Sequence, residues 1–209
     1  MLARMPLKGV AEAPATSPLF YFVTGVLGMI IISAQLSDHI SERFTIRDQN
    51  LVLAAKRGDF GAVQEWLAKG TDINCTMDDG TPLTIASGEG HLEVVQALLE
   101  RGAKVNATDR RSNTALMKAA WQGLLAVVQL LLARGANVNA RTPLGGTALM
   151  DAAFGGHLQV VRALLGAGAE IGAEAGNGLT ALDMAAQKGH SEVRAVLAQA
   201  AQQSSSPRF

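Results

Sequence analysis

Three histidines, His91, His157 and His190, first suggest chemistry in this chain, because imidazoles at regular intervals can hold a metal or move protons. His157 and His190 are 33 residues apart (190 − 157), and His91 lies at twice that interval before His157 (157 − 91 = 66). A shared metal needs bonds of about 2 Å converging on one point. Residues recurring at a fixed interval sit instead on successive stacked helices about 8–10 Å apart, so each histidine is expected to bond the turn backbone of its own or a neighbouring unit. Leu124 holds the intervening register (124 − 91 = 33), so the position is not chemically indispensable. The single Cys75 cannot form an internal disulfide and reads as a small loop residue. Gly88-Glu89-Gly90 and the run from Gly166 to Gly178 are glycine-rich, but neither is a strand-glycine-helix phosphate loop with Gly-x-x-x-x-Gly-Lys-Thr. No Ser or Cys has a His and a carboxylate in a recognisable nucleophile frame. The sequence therefore offers no catalytic residue, no metal site and no cofactor site, and a non-enzymatic protein is expected.

What must position these residues is a repeat. The threonines at 81, 114, 147 and 180 are each 33 apart, and the same interval separates Leu83, Leu116, Leu149 and Leu182. Ala86, Ala119, Ala152 and Ala185 follow it, as do Gly90, Gly123, Gly156 and Gly189, and then Gly102, Gly135 and Gly168. Self-similarity of this kind marks a solenoid. Within one unit, Leu92, Val95, Leu98 and Leu99 fall on one helical stripe, while Gln96 and Glu100 face away. The threonines precede apolar stretches and suit N-caps, Pro82 suits a first helical turn, and the glycine after each Leu-Leu run suits a C-cap. A helix pair this small cannot bury its own stripe, so neighbouring pairs must stack. Hydrophobic residues make up 48% of the chain, ample for such a core, and aromatics only 4%, which favours close-packed helices and tight turns. Eighteen basic residues balance eighteen acidic ones, so no net basic field exists to hold nucleic acid and no nucleic-acid partner is expected.

These segments resemble the ankyrin-repeat family. GTPLTIASGEGHLEVVQALLERGAKVNA (80–107) matches the family pattern nearly throughout, and NTALMKAAWQGLLAVVQLLLARGANVNA (113–140) and GTALMDAAFGGHLQVVRALLGAGAEIGA (146–173) keep its frame. LTALDMAAQKGHSEVRAVLAQAAQQ (179–203) matches through two helices, and LVLAAKRGDFGAVQEWLAKGTDIN (51–74) lacks the Thr-Pro-Leu start and sits 32 residues before its successor (90 − 58). The resemblance implies an all-α solenoid of about five stacked helix-turn-helix units with short β-hairpin-like loops, over residues 47–203. The units fall near 47–78, 79–111, 112–144, 145–177 and 178–203, with a disordered tail at 204–209 and one hydrophobic helix ahead of the array.

The resemblance also implies a partner. Ankyrin arrays usually bind another protein on the concave face made by hairpin tips and the outer ends of the first helices. Carried over by register, that face comprises Arg110, Arg111 and Asn113, Trp121 and Gln122, Leu144, Phe154, Asn177 and Leu179, and Gln187 and Lys188. An apolar centre of Trp121, Phe154, Leu144 and Leu179 rimmed by charge has the composition of an interface hot spot. Trp66 aligns with Leu98 and Leu131 and reads as core; Met117 and Met150 read as packing residues; Lys118 and Asp151, on adjacent first helices, are placed to pair across repeats.

Ahead of the array, residues 1–18 form a basic region with Arg4 and Lys8, and residues 19–36 are uncharged and hydrophobic. This is the pattern of a signal peptide cleaved after Ala34 or, at 18 residues, of a short membrane anchor. In both cases the array is expected across the membrane from the cytoplasm. In a bacterium, which the Thr-Ala-Leu-Met starts resemble, that is the periplasm or the outer side of the inner membrane. The expected function is a protein-binding scaffold, monomeric by itself, serving as an exported adaptor for an envelope protein. An inhibitor or immunity protein and a membrane-tethered organiser stand as alternatives, and membrane contact is expected only through residues 19–36 if they are retained.

Overall fold

The computed structural model describes residues 46–77 and 80–205, and the hydrophobic segment at 19–36, with the helix and cleavage site expected there, lies outside them. Ten helices are described: α1 (46–57), α2 (Phe60–Ala68), α3 (Pro82–Glu89), α4 (Leu92–Glu100), α5 (Ala115–Trp121), α6 (Leu125–Ala133), α7 (Ala148–Gly155), α8 (Leu158–Gly166), α9 (Ala181–Gln187) and α10 (Ser191–Ser205). They form five antiparallel pairs stacked side by side, with odd-numbered helices against odd and even against even. The structure is the all-α solenoid expected.

Local chemistry sets the helix limits. Thr81, Thr114, Thr147 and Thr180 each accept, on the side-chain oxygen, a backbone N–H of the first turn (from Thr84, Met117, Met150 and Asp183), and Pro82 opens α3 where no donor is needed. First helices end where the chain turns through a glycine of positive φ, as at Gly90 (82°) and Gly156 (74°). The next N–H then reaches back five residues, His91 to the Ala86 carbonyl and His157 to that of Ala152, each at 3.0 Å, which satisfies carbonyls the helix end leaves open.

The core runs the length of the array as one cluster, with Leu83, Leu116 and Leu149 from the first helices meeting Leu98, Leu131 and Leu164 from the second, all fully buried. Met117 and Met150 are buried with them, and Trp66 is half-buried against the core with the Lys69 ammonium 4.4 Å from its ring. Along the loop edge asparagines stitch neighbours together: Asn74, Asn106 and Asn139 accept from the backbone N–H groups of Lys104, Asn137 and Glu170 at 2.8–2.9 Å. Gly172 stands where the next would be (172 − 139 = 33), and the ladder stops there.

The connecting loops are hairpin-like without forming strands among the described residues. Met77 bridges Gly80 and Thr108 bridges Thr114, while Thr142 donates to the Gly146 carbonyl and Ala175 to that of Leu179. Two details differ from expectation. The first helix is already present at Ile46, and α10 continues to Ser205, two residues into the stretch assigned to the tail. Among the described residues no helix is long and apolar enough to cross a membrane. Cys75 is a buried loop residue whose thiol is pushed up to about 12 by burial and by the nearby carboxylates of Asp48 and Asp72, which leaves it unreactive at neutral pH.

Leu131 is fully buried at the centre of this shared core. Leu131→Ala is expected to cost about 2–5 kcal/mol by cavity formation, measured by denaturant unfolding; a midpoint equal to that of the unaltered protein would contradict the register.

Candidate partner-binding groove

The concave surface is built from the last turns of α3, α5, α7 and α9 and from the hairpins beside them. The histidine register fixes it. His91 Nε2 lies 3.0 Å from the Lys56 carbonyl, His157 Nε2 2.9 Å from that of Trp121, and His190 Nε2 3.0 Å from that of Phe154. A carbonyl can only accept, so each Nε2 carries the hydrogen. Each ring seats on the turn glycine of the preceding repeat, where a Cβ on Gly58, Gly123 or Gly156 would collide with it. Leu124 covers Gly90 in the same way without the hydrogen bond. The histidines therefore act as expected from their spacing, and the carbonyls they hold belong to residues whose side chains project onto the concave face.

Two of those residues form a ladder. The rings of Trp121 and Phe154 stack at 5.2 Å between centroids, 18° from parallel, and the Lys188 ammonium lies 4.2 Å from the Phe154 ring. Phe154 is consequently half-buried, whereas Trp121, at the end of the ladder, remains 48% exposed. Stacking of this kind contributes about 0.5–1.5 kcal/mol beyond area burial, so the pair is a packed unit as well as a surface.

Beside Trp121 opens a groove of about 1010 Å³. Its floor includes Ile85, Met117, Lys118 and Asp151, and its walls are the hairpins at 109–113 and 142–144. Arg110, Arg111, Asn113, Trp121, Gln122 and Leu144, all predicted from the register, line it together. Leu144 is 79% exposed at a hairpin tip, its carbonyl accepting the Gly176 N–H of the next hairpin at 2.8 Å. Phe154 and Lys188 join through the ladder. Gln187 is exposed at the end of α9, and Asn177 and Leu179 lie on the last hairpin, where the Asn177 side chain accepts the Leu179 N–H; none of these three lines the groove.

The residue that organises the second hairpin escaped the register reading. Asp109 accepts the N–H groups of Arg111 (2.9 Å) and Asn113 (2.8 Å), the Asn113 side-chain amide and the Lys118 ammonium (3.0 Å). Burial would raise its carboxyl, but these donors outweigh it and hold the pKa below 3.8. Asn113 is thereby committed to the hairpin. Ser112 adopts a left-handed φ of 63°, the conformation that Gly145 and Gly178 take at the same register. An Asp four residues before Asn113 was the available signal.

Lys118 does not pair with Asp151. The ammonium is drawn to Asp109, which stands on the hairpin of its own repeat with its remaining lone pairs already in hydrogen bonds. Asp151 is left without an ion-pair partner among the described residues, and burial pushes its carboxyl up from 3.8 to about 7. No group of three or more His, Cys, Asp or Glu side chains able to hold a metal occurs among the described residues.

A family model described as ankyrin repeats in three copies matches residues 51–142 and 136–206. The chain is 48% identical over 60 residues to the human ankyrin repeat and KH domain-containing protein 1, covering 28% of this chain and 2% of that protein. It is 42% identical over 57 residues to myotrophin of Xenopus tropicalis, covering 27% of this chain and 48% of the relative. It is also 42% identical over 59 residues to the ankyrin repeat protein YahD of Escherichia coli, covering 28% of this chain and 29% of the relative. The chain thus spans less than half the length of each of these relatives.

The unpaired groove carboxylate has a consequence for stability. With the folded pKa above the unfolded one, the folded state binds the extra proton between about pH 4 and 7, so this group's contribution falls as pH rises through that window. Asp151→Asn is expected to stabilise the protein at pH 8 by more than about 1 kcal/mol and to change little near pH 4. Thermal unfolding at the two pH values checks it; equal effects at both would refute an unpaired, part-buried carboxyl.

Proposed function

The chain belongs to the ankyrin-repeat family, whose members are generally non-enzymatic protein-binding scaffolds, and on that premise we propose that it binds one partner protein in the concave groove, without catalysis of its own. The observation that carries this reading is the exposed ring of Trp121 beside Leu144 and the two arginines of one hairpin. Exposed Trp and Arg around an apolar centre is the composition that concentrates binding energy. Monomeric soluble proteins rarely leave large apolar residues grouped in a concavity without use. Leu144, in particular, is 79% exposed and belongs neither to the core nor to the hydrophobic residues packed against it.

We further propose that the array acts outside the cytoplasm as an adaptor for an envelope protein. The support is in the sequence: a basic region at 1–18 followed by the uncharged stretch 19–36, ending near a small-residue cleavage point at Ala34. Intact-mass analysis of the protein purified from its native host should show a chain beginning at Gln35. A full-length species released only by detergent would instead make it a tethered organiser, and a full-length species in the soluble cytoplasmic fraction would refute export.

Replacing both Trp121 and Phe154 with Ala tests the groove itself. Partner binding should weaken by at least about 2 kcal/mol. Because the rings stack, a stability loss of about 1–2 kcal/mol is expected with it, so binding must be measured on the folded fraction, by calorimetry well below the midpoint. Unchanged affinity of that folded fraction would remove this face as the binding site.

A further inference from the structure

Seven asparagines occur in the chain, and all lie within the described residues. An asparagine side chain is an amide whose carbon the main-chain nitrogen of the following residue can attack. That residue must leave its nitrogen uncovered, and the side chain must fold back against it rather than be held elsewhere.

Six of the seven fail one condition or the other. Asn74, Asn106 and Asn139 have their side-chain oxygens occupied by backbone N–H groups of the next repeat, at 2.8–2.9 Å. Asn113 donates through its side-chain amide to Asp109 at 3.1 Å and is followed by the buried, branched Thr114. Asn50 lies inside α1, before the fully buried Leu51. Asn137 is the closest comparison. Its Oδ1 accepts the N–H of Asn139 at 3.0 Å, which curls the side chain back past the intervening amide. That amide belongs to Val138, whose branched side chain shields it and packs against the core.

Asn177 has the same fold-back without the shield. Its Oδ1 accepts the N–H of Leu179 at 3.2 Å, and the residue between them is Gly178. Both Asn177 and Gly178 are exposed at the hairpin tip, and a Cβ built on Gly178 would meet nothing within 4 Å, so that flank of the nitrogen is open. The Leu179 N–H also points at the oxygen on which negative charge collects when the side-chain carbon is attacked. Opposing the attack is the bond from the Gly178 N–H to the Ala175 carbonyl at 2.8 Å. At an exposed tip water takes over such a bond at modest net cost.

We propose that Asn177 is a site of spontaneous covalent modification, at which the folded chain deamidates through Gly178 without an enzyme. The Gly178 nitrogen gives up its proton to solvent base and bonds to Cγ of Asn177. The bond from Cγ to the side-chain nitrogen breaks, and that nitrogen takes a proton from water and leaves as ammonia, which closes a succinimide ring. Water then opens the ring: cleavage of the new bond gives aspartate, and cleavage of the original peptide bond gives an isoaspartyl linkage running through the side-chain carbon. Nothing is oxidised or reduced. Both products add a carboxylate to the last hairpin. The isoaspartyl form also inserts a methylene into a turn closed by the Ala175 N–H on the Leu179 carbonyl (2.9 Å) and tied to the neighbouring tip by the Gly176 N–H on the Leu144 carbonyl (2.8 Å). Ageing at this position therefore alters the hairpin beside Leu144.

The full chain, aged at mildly alkaline pH below its melting temperature and then digested for mass mapping, tests the proposal. The peptide bearing Asn177 should gain the mass of an amide-to-acid exchange and separate into aspartyl and isoaspartyl forms, while peptides bearing the other asparagines keep their masses. The same chain unfolded in urea and aged alongside should convert Asn177 no faster. Gly178→Ala should slow the conversion; the urea comparison decides the matter if the left-handed φ of 75° at this position keeps that variant from folding. A first change at any other asparagine, conversion of Asn177 in urea but not in the folded chain, no conversion in either, or an unaltered rate in folded Gly178→Ala would overturn it.

Discussion

The close approach of successive first helices sets the position of everything on the concave face, and that approach depends on one register being alanine. Ala54, Ala86, Ala119, Ala152 and Ala185 are all buried between neighbouring helices. A larger side chain there would have to displace a helix from its neighbour, because interiors packed to this density accept added volume only with strain. With the helices held close, the residue two places before each turn glycine comes level with its counterpart in the next repeat. The stacked rings at 5.2 Å are the visible result. The histidines then fix the same positions from the other side, each donating to a carbonyl of the register that carries the concave side chains. The packing of the helices and the placement of the concave side chains are thus coupled through the backbone of one turn.

Against that regular frame the departures from the repeat are what individualise the surface. Gly88 omits a side chain where its neighbours have Trp121 and Phe154, and Leu124 covers its turn glycine without bonding the carbonyl at Gly88. Lys118 and Asp151 replace apolar residues on the groove floor, since Ile85 and Met184 hold the same register. Lys118 is accommodated by the Asp109 hairpin, whereas Asp151 is stabilised chiefly by taking up a proton. Gly88, Asp109, Lys118 and Asp151 all line the same groove. The repeat supplies the scaffold, and local exceptions to it give the groove its particular lining.

The parts legible in the sequence were those governed by the period. The threonine caps, turn glycines and histidine-to-backbone bonds each follow from a residue type meeting a fixed local geometry, and all were readable from spacing; the stripe expected at Leu92, Val95, Leu98 and Leu99 holds at Val95 and Leu98, but Leu92 is exposed at the start of α4 and Val94 is buried instead. So was the membership of Arg110, Arg111, Trp121 and Leu144 in one surface, because stacking preserves register. Side-chain choices among several partners were not. Lys118 had carboxylates available both on the adjacent helix and on its own hairpin; the outcome depended on Asp109 already being oriented by Asn113, which spacing does not reveal. The stacking of Trp121 on Phe154 and the capping of Phe154 by Lys188 depend on rotamers in the same way. Asn177 and Leu179 hold the corresponding register of the last hairpin yet do not line the groove, whose walls are the hairpins at 109–113 and 142–144.

On the function proposed above, a partner sits against the hairpin tips and the inner helices and leaves the outer helices untouched. Hydrogen exchange of the full chain, alone and bound to the partner recovered from its native host, measures this directly. Protection on binding should concentrate at 109–113 and 142–146, with α4, α6 and α8 unchanged. Protection of α4, α6 and α8 with unaltered exchange in those hairpins would contradict it.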